Sequence, residues 1–260
     1  MQNRHKDRGL YFKELAYTSK YFFLPYISTF RKIESITRVL EVGCGDGGNL
    51  LPFAEIGCKV IGVDISITRI HDARAFFKEK NAKATFIASD VFALKELYGH
   101  FDIIICHDVI GHISDKFSFL TKFSRFLLAD GIMFVAFPAW QMPFGGHQQI
   151  CKSRLLSHLP YFHLLPAFAY EGILKVFKES NGCIDELLSI KETKCSIEYF
   201  ERTLRKCNLN IVDRCLYLIN PHYKVKFGLS PIKQNSIISA LPYIRNYFTT
   251  SAFYIINKIE

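Results

Sequence analysis

Short apolar runs alternate with helical patterns through the middle of the chain. Five runs are predicted as strands: Arg38–Val42, Lys59–Val63, Thr85–Ser89, Phe101–Cys106 and Gly131–Phe137. Between the second and third runs, apolar residues recur at helical spacing over residues 67–80, with Ile67, Ile70, Ala73 and Phe77 on one face. Strands that alternate with helices and are apolar throughout are typical of a parallel sheet covered on both faces. The pattern therefore predicts a doubly wound α/β fold.

The alternation continues through two further helices and then breaks. One helix is predicted from about Asn49 to Glu55, and one over residues 115–128, stopping near Asp130-Gly131. After the fifth strand, the 70 residues from Ala139 to Asn208 precede the next apolar run, Ile211–Ile219. A structureless loop of that length is rare in a compact domain. We therefore expect an inserted cap that covers the sheet.

The remaining pattern divides the chain into four parts. A helix is predicted near Ser196–Cys207, with Ser196 as its N-cap, and a last strand over Ala252–Asn257. The predicted parts are an N-terminal helical cap segment (1–38), a sheet core (39–140), the inserted substrate cap (141–208) and C-terminal strands that complete the sheet (209–260).

Composition and charge narrow the class of protein. Hydrophobic residues make up 49% and charged residues 22%, as in ordinary globular proteins. No uncharged apolar run reaches the roughly 18 residues of a membrane span, and the N-terminus lacks a secretory pattern, so we expect a cytoplasmic protein.

The net charge of +9 lies at the two ends, with +5 in residues 1–38 and +4 in residues 220–260. These basic ends are compatible with contact with nucleic acid, an anionic lipid surface or an acidic glycan, or with a solvated surface without a specific partner.

The eight cysteines give no sign of a zinc ribbon or a redox pair. None forms a Cys-x-x-Cys motif. Buried free thiols in a reducing compartment are therefore expected, and no metal site is predicted.

A glycine-rich loop follows the first strand. Gly43, Gly45 and Gly48 fit the spacing G-x-G-x-x-G between a strand and a helix, and Asp64 ends the second strand. That spacing alone is also the fingerprint of a dinucleotide site. The loop carries Glu41 and Asp46, however, and no Lys or Arg occurs from residue 39 to 58. Because a pyrophosphate disfavours nearby carboxylates, the loop favours a ligand with cationic groups and no phosphate, such as S-adenosylmethionine; a tight turn without a ligand is the alternative.

Five segments, in order and at familiar spacing, resemble the class I S-adenosylmethionine-dependent methyltransferases, nearest the small-molecule group called type 11 or type 12. They read EVGCGDGGNL, VDIS, SDVF, FDIIICHDVIGHI and ADGIMFVAFP, and the resemblance covers residues 36–140. It implies a Rossmann-like, mostly parallel sheet of seven strands whose final strand is antiparallel. It also implies S-adenosyl-L-methionine as the cofactor, bound by the core 39–140, and S-adenosyl-L-homocysteine as the product.

The resemblance also implies roles for individual cofactor-binding residues. Glu41 and the three glycines would surround the methionyl part and the ribose, while Asp64 would accept from both ribose hydroxyls. Ile65 would pack on the adenine, Asp90 and Val91 would contact its edge, and His107 would face the sulfonium and the acceptor. Where related sequences often read Glu-His, this chain has Gly111-His112, which argues against a metal on that segment.

Candidate catalytic residues and acceptors come from the chemistry of methyl transfer. A hydroxyl acceptor must lose its proton, usually to a histidine, and ligands lie at the carboxyl ends of the strands. His147, which follows the fifth strand in PFGGHQQ, is the first candidate base and His107 the second. The cap is rich in aromatic residues, including Trp140, and the aromatic segment Leu10–Arg31 is expected to close over the cofactor as a helix.

Several functions remain open on this reading. The favoured one is O-methylation of a small molecule or of a carrier-linked glycan or lipid. A nucleic-acid methyltransferase is disfavoured because His107-Asp-Val-Ile110 stands where base-amine enzymes carry Asn-Pro-Pro-Tyr/Phe. A non-catalytic S-adenosylmethionine-binding protein is the third possibility. A nicotinamide oxidoreductase is disfavoured by the acidic loop.

Overall fold

The chain forms one eight-stranded sheet in a computed structural model that describes residues 7–259. The strands are β1 (Arg38–Val42), β2 (Lys59–Asp64), β3 (Thr85–Ala88), β4 (Phe101–His107), β5 (Leu127–Phe137), β6 (Leu209–Ile219), β7 (Ile232–Lys233) and β8 (Ser251–Lys258). Their order is β3-β2-β1-β4-β5-β8-β6-β7. The first five are mutually parallel, and β8 is antiparallel to both β5 and β6.

This topology confirms the doubly wound α/β fold and the antiparallel final strand, but the predicted count of seven strands was wrong. The additional strand is β7, whose two residues pair with Tyr217 and Ile219 at the edge of the sheet. Two residues are too short to leave a periodic signal in the sequence.

Helices cover both faces of the sheet. They are α1 (Arg8–Thr18), α2 (Leu24–Ser28), α3 (Leu51–Ile56), α4 (Ile67–Glu79), α5 (Lys116–Phe123), α6 (Arg154–His158), α7 (Ala167–Val176), α8 (Asn181–Thr193), α9 (Ile197–Lys206), α10 (Tyr223–Phe227) and α11 (Ser236–Ala240). A π-helical turn, Ser19–Phe23, joins α1 to α2.

The helix predicted over residues 115–128 is shorter than expected. It ends at Phe123, and β5 begins at Leu127, where Leu127 pairs with Phe101. The next pair is Ile103 with Ile132, so residues 128–131 bulge out of the strand. The sequence predicts Asp130-Gly131 as the stop of the helix, but the two residues lie in this bulge of β5.

Alternate residues of each central strand enter two different cores. In β4, Ile103 and Ile105 face the side covered by α1, α3 and α4, whereas Ile104 and Cys106 face the side covered by α5 and α9. All four are almost fully buried. A strand buried on both faces is apolar throughout, which is why β4 was recognisable in the sequence.

The inserted cap builds a small core of its own. Leu156, Phe162, Tyr170 and Leu187, from four successive segments, pack together in it. The helix that follows, α9, begins as predicted, because the Ser196 side chain accepts a hydrogen bond from the Tyr199 amide at 3.2 Å. All eight cysteines are free thiols. Within residues 7–259, no helix has the length and apolar character needed to cross a bilayer.

Two glycines of the cap differ in the space around them, and this difference can be tested. A Cβ on Gly145 would collide with the backbone of Trp140, whereas a Cβ on Gly172, inside α7, would meet nothing. We expect Gly145→Ala to lower the free energy of unfolding by about 1–3 kcal/mol. Gly172→Ala should raise it by about 0.5–1 kcal/mol, because alanine favours a helix interior.

Urea denaturation of the two variants against the parent chain measures both effects. Equal stability of Gly145→Ala and the parent would show that the turn after β5 relaxes without cost.

Candidate functional site

The glycine loop lies at the carboxyl ends of the parallel strands. Gly43 and Gly45 have φ of +69° and +52°, in the left-handed region that other residues rarely adopt. A Cβ on Gly43 would also collide with Val109, in the turn after β4. Gly43 therefore lets the loop after β1 pack against the loop after β4, while Gly45 lies beside Arg69 of α4.

Gly48 has a different role from the other two. A Cβ there would lie 2.6 Å from the Phe12 carbonyl oxygen and 2.7 Å from the Leu15 side chain. Ser19 adds a hydrogen bond from its hydroxyl to the Asn49 carbonyl at 2.7 Å. The third glycine thus allows α1 and the π-helical turn to pack directly on the loop.

The acidic character of the loop is partly cancelled from the N-terminal helix. Asp46 is almost fully buried and forms an ion pair with Arg8, whose Nε lies 3.1 Å from the carboxylate. A paired carboxylate does not attract a cationic ligand. Asp46 therefore does not make the loop anionic as predicted, and the carboxyl groups that remain near the loop are Glu41 and Asp64.

Glu41 is fully buried at the end of β1 and begins a chain of hydrogen bonds. Asn49 donates from Nδ2 to Glu41 Oε1 at 2.7 Å and to His107 Nδ1 at 3.3 Å. Burial raises the pKa of Glu41 from 4.5 to about 8, against the lowering effect of the Asn49 hydrogen bond. The Asn49 link was not recognised in the sequence, although this amide side chain directly follows Gly48.

Asp64 and Ile65 lie at the end of β2 as predicted. The Asp64 carboxylate accepts from the Gly45 amide at 2.9 Å and from the Ser66 amide at 2.8 Å. Both of its oxygens are therefore oriented, and each retains a lone pair for a further donor. Ile65 is 81% exposed, which is unusual for so large an apolar side chain beside a cleft.

Asp90 and Val91 lie after β3, at the same edge of the sheet. Asp90 is exposed and accepts from the Phe92 amide at 2.9 Å, while Val91 is buried in the core. Their positions leave the Asp90 carboxylate and the backbone of this turn at the surface of the cleft.

The N-terminal helix and the segment after β6 cover the site from above. Burial raises the pKa of the Tyr11 hydroxyl, as do the charges of Asp108, Asp46 and Glu41. The His222 ring meets Tyr11 edge to face at 6.5 Å, and its Nδ1 lies 2.9 Å from the Thr18 hydroxyl. The aromatic pattern of the sequence predicts the N-terminal segment at the site but not His222.

A small cavity opens between the ends of β4 and β5 and the cap. It has a volume of about 30 Å³ and is lined by charged or imidazole groups at Asp108, His112, His147 and Lys194 and by the rings of Phe137 and Trp140. The His112 and His147 rings meet edge to face at 5.3 Å. The turn that carries His147 follows β5, and Gln148 Nε2 holds it by donating to Pro143 O and Leu159 O.

The two candidate bases occupy different surroundings. His107 lies with Asn49 and faces the Asp108 carboxylate at 3.4 Å, with the Phe23 ring 5.0 Å away. His147 lies in the cavity, which the neighbouring Asp108 also lines. The structure thus places Asp108 between the two histidine environments.

His163 packs against Trp140, which lines this cavity. It is fully buried, donates from Nε2 to the Trp140 carbonyl at 2.7 Å and meets the Trp140 ring edge to face. Burial lowers its pKa to about 4, so it is neutral at physiological pH. A Cβ on Gly146 would collide with this ring, so that glycine serves the packing of His163.

Comparison with known proteins gives related sequences over part of the chain. A family model described as a methyltransferase domain matches residues 39–131. An uncharacterized protein of Rickettsia prowazekii is 31% identical over 176 residues, which are 61% of this chain and 68% of that protein. A ubiquinone biosynthesis O-methyltransferase of Chelativorans is 36% identical over 99 residues. This last match spans 38% of this chain and 39% of the relative, less than half of either.

Solved structures share the fold over most of the chain. A candidate sarcosine dimethylglycine methyltransferase from Galdieria sulphuraria has a TM-score of 0.60 at 12% identity and covers 92% of this chain and 85% of its own. Magnesium protoporphyrin IX methyltransferase from Synechocystis, with bound S-adenosyl-L-homocysteine, has a TM-score of 0.55 at 14% identity, covering 91% and 80%. At such low identity, the likeness shows the fold.

The buried groups of the glycine loop fit the amino group of S-adenosylmethionine. Glu41 Oε2 and Asn49 Oδ1 are buried acceptors with no hydrogen-bond partner among the described residues. Leaving buried acceptors unsatisfied costs free energy. A cationic amine supplies both the missing donors and the charge that a buried carboxylate requires.

The raised pKa of Glu41 gives a prediction on stability in the absence of ligand. The folded state holds this proton more tightly than the unfolded state, so the stabilisation is complete below pH 4.5 and is lost as the pH rises through about 8. We expect the unfolding free energy of the parent, relative to Glu41→Gln, to fall across this window. Urea denaturation from pH 4 to 9 measures this difference, and parallel curves for the two proteins would contradict it.

Removal of the Asp64 carboxylate gives a prediction on cofactor affinity. Asp64→Ala should weaken S-adenosylmethionine binding by about 2–3 kcal/mol, because charge-assisted hydrogen bonds are lost. Calorimetric titration measures the effect. Asp185→Ala, which removes an exposed carboxylate from α8, is the matched control and should bind as the parent does. Unchanged affinity in Asp64→Ala would exclude a role in binding.

Proposed function

This chain belongs to the class I S-adenosylmethionine-dependent methyltransferases, and we propose that it methylates a hydroxyl oxygen on a small aromatic molecule. The observation that carries the proposal is the pair of adjoining cavities between the strand ends and the cap. Phe137 and Trp140 line the smaller one and suit the edge of a ring, while His112, His147 and Lys194 offer polar contacts. The partial likeness to a ubiquinone biosynthesis O-methyltransferase supports an oxygen acceptor.

The proposed roles follow the geometry of the two binding regions. S-adenosylmethionine, when bound, supplies a methyl group activated by its sulfonium. We assign Glu41, Gly43, Gly45 and Gly48 to the methionyl and ribose side and Asp64 to the ribose hydroxyls. Ile65, Asp90 and Val91 are assigned to the adenine. The cap then holds the acceptor oxygen in line with the methyl group and excludes water.

His147 is the better candidate for the general base. His107 accepts from Asn49 at Nδ1, so in the neutral ring Nε2 carries the proton and faces Asp108. Neither nitrogen of His107 then has a lone pair free to take a proton from the acceptor. His147 lies in the cavity itself. We therefore assign proton removal to His147, and to His107 the positioning of Asp108 beside the methyl side.

A neighbouring cavity leaves room for a longer acceptor. It has a volume of about 340 Å³ and shares Trp140 and Lys194 with the first. An acceptor with an attached chain, including a carrier-linked glycan or lipid, would extend into it. The small aromatic head group remains the part that meets His147.

The product distinguishes this proposal from other methyltransferase reactions. We would supply S-adenosylmethionine labelled with ¹³C at the methyl group, together with panels of phenols, carboxylic acids and amines. The chemical shift of the transferred methyl in the NMR spectrum identifies the atom to which it is bound. An O-methyl phenol is the expected product. An N-methyl or C-methyl product, or label found on transfer RNA, would contradict the proposed acceptor.

Replacement of His147 tests the base. His147→Ala should lower turnover by about 100-fold or more, because the acceptor keeps its proton, with cofactor affinity unchanged. Turnover of the parent should also fall in acid, where an imidazole is protonated. His158→Ala, an exposed histidine on α6, is the control and should retain parental turnover. Full turnover in His147→Ala would make this residue part of the cavity wall and nothing more.

A further inference from the structure

Two cysteines and a glutamate meet inside the cap, in a place that no step of methyl transfer uses. Cys151 follows the turn that carries His147, Glu179 lies between α7 and α8, and Cys183 lies in the first turn of α8. The two Sγ atoms and a carboxylate oxygen all lie within 4.8 Å of one another. Cys151 and Glu179 are buried, and Cys183 is half-buried.

The spacing of these atoms is close to that of a tetrahedral zinc site. Zinc–sulfur bonds of about 2.3 Å and zinc–oxygen bonds of about 2.0–2.2 Å place neighbouring ligand atoms roughly 3.5–3.8 Å apart. The three atoms would need to approach one another by about 1 Å at most. A thiolate pair with one carboxylate favours zinc over magnesium or calcium, which prefer oxygen ligands.

The glutamate is held in place by the backbone. Its Oε1 accepts from the Ser153 amide at 2.7 Å, and its Oε2 accepts from the Lys152 amide at 2.9 Å. These bonds orient the carboxylate as the hydrogen bonds around metal ligands commonly do. Each oxygen keeps a second lone pair that can be directed at a cation.

A fourth polar group near the cluster lacks a partner. Tyr170 is fully buried, and its hydroxyl makes no hydrogen bond with any described residue. Tyr170 and Cys151 belong to the same small core of the cap, and Cys183 packs against that core. An unpartnered polar group in an otherwise apolar core requires an explanation.

We propose that Cys151, Glu179 and Cys183 bind a zinc ion, and that the Tyr170 hydroxyl, or a water hydrogen-bonded to it, completes the tetrahedron. On binding, each thiol loses its proton to solvent and both sulfurs coordinate as thiolates. The half-buried Cys183 gives the ion a route of entry. Its role is structural, since it lies in the core of the cap.

Zinc at this point would fix the cap beside the acceptor cavity. It would join the turn that follows His147 to the first turn of α8. The other end of α8 carries Ile190 and is followed by Lys194, and both line the cavity. The zinc site does not depend on the proposed acceptor, and its test needs no acceptor.

The experiment uses the full chain purified under reducing conditions. Metal analysis should find zinc in about a 1:1 ratio. After treatment with a chelator, added Co²⁺ should give the visible bands of a tetrahedral site and a thiolate-to-metal charge-transfer band. Cys183→Ser and Cys151→Ser should lose the charge-transfer intensity. Glu179→Gln should weaken binding at least tenfold.

Cys58→Ser is the matched control, because this buried thiol lies at the sheet and away from the cap. It should bind cobalt as the parent does. Calorimetric binding of S-adenosylmethionine to each variant verifies the fold, and Cys183→Ser and Glu179→Gln carry the test if Cys151→Ser does not fold. Absence of cobalt or zinc binding, parental binding by Cys183→Ser, or a Cys151–Cys183 disulfide in the reduced preparation would each overturn the proposal.

Discussion

The buried Glu41 carboxyl is the group on which the arrangement of the site depends. It lies near the end of β1, in the middle of the parallel sheet, and Asn49 donates a hydrogen bond to it at 2.7 Å. Burial makes its charged form costly, as the raised pKa shows. On our assignment, a cationic amine of the cofactor that binds beside Glu41 would relieve this cost and favour the charged carboxylate. Asn49 also donates to His107, so one chain of hydrogen bonds joins the proposed cofactor residue to the proposed methyl side.

The packing of α1 over the glycine loop follows from the same cost of burying carboxylates. Asp46 lies five residues beyond Glu41, and two unpaired buried carboxylates so close together would repel each other. Arg8, from α1, neutralises Asp46, while Gly48 lets that helix approach. The N-terminal helix therefore serves two purposes, since it closes the site and confines the anionic character to the position where the ligand cation is expected.

The parts that sequence predicted are those governed by local periodicity. The strands β1 to β5 and the helix over residues 67–80 were recognisable because a central parallel strand is apolar throughout and an amphipathic helix repeats every 3.6 residues. The edge strand β7 and the bulge at residues 128–131 depend on pairing with distant residues, which leaves no local pattern.

The site shows the same division. Gly43, Gly45 and Asp64 were found from their spacing, because a strand–loop–helix turn requires glycine at fixed intervals. His147 and His163 both occur in aromatic, loop-like surroundings, and no local signal separates them. Tertiary packing separates the two histidines. His163 is fully buried against Trp140, and burial lowers its pKa to about 4, whereas His147 lines the cavity.

The cavity owes its shape to a few contacts between the sheet and the cap. The buried Lys116, at the start of α5, donates to the carbonyls of Ile113 and Thr193, and burial lowers its pKa. The Thr193 hydroxyl donates to the Gly111 carbonyl at 2.7 Å. These bonds tie the end of α8 to the loop after β4, which the strand ends hold rigid. Because the cap contributes much of the cavity wall but little of the glycine loop, substitutions in residues 141–208 can alter the acceptor while the cofactor site stays the same.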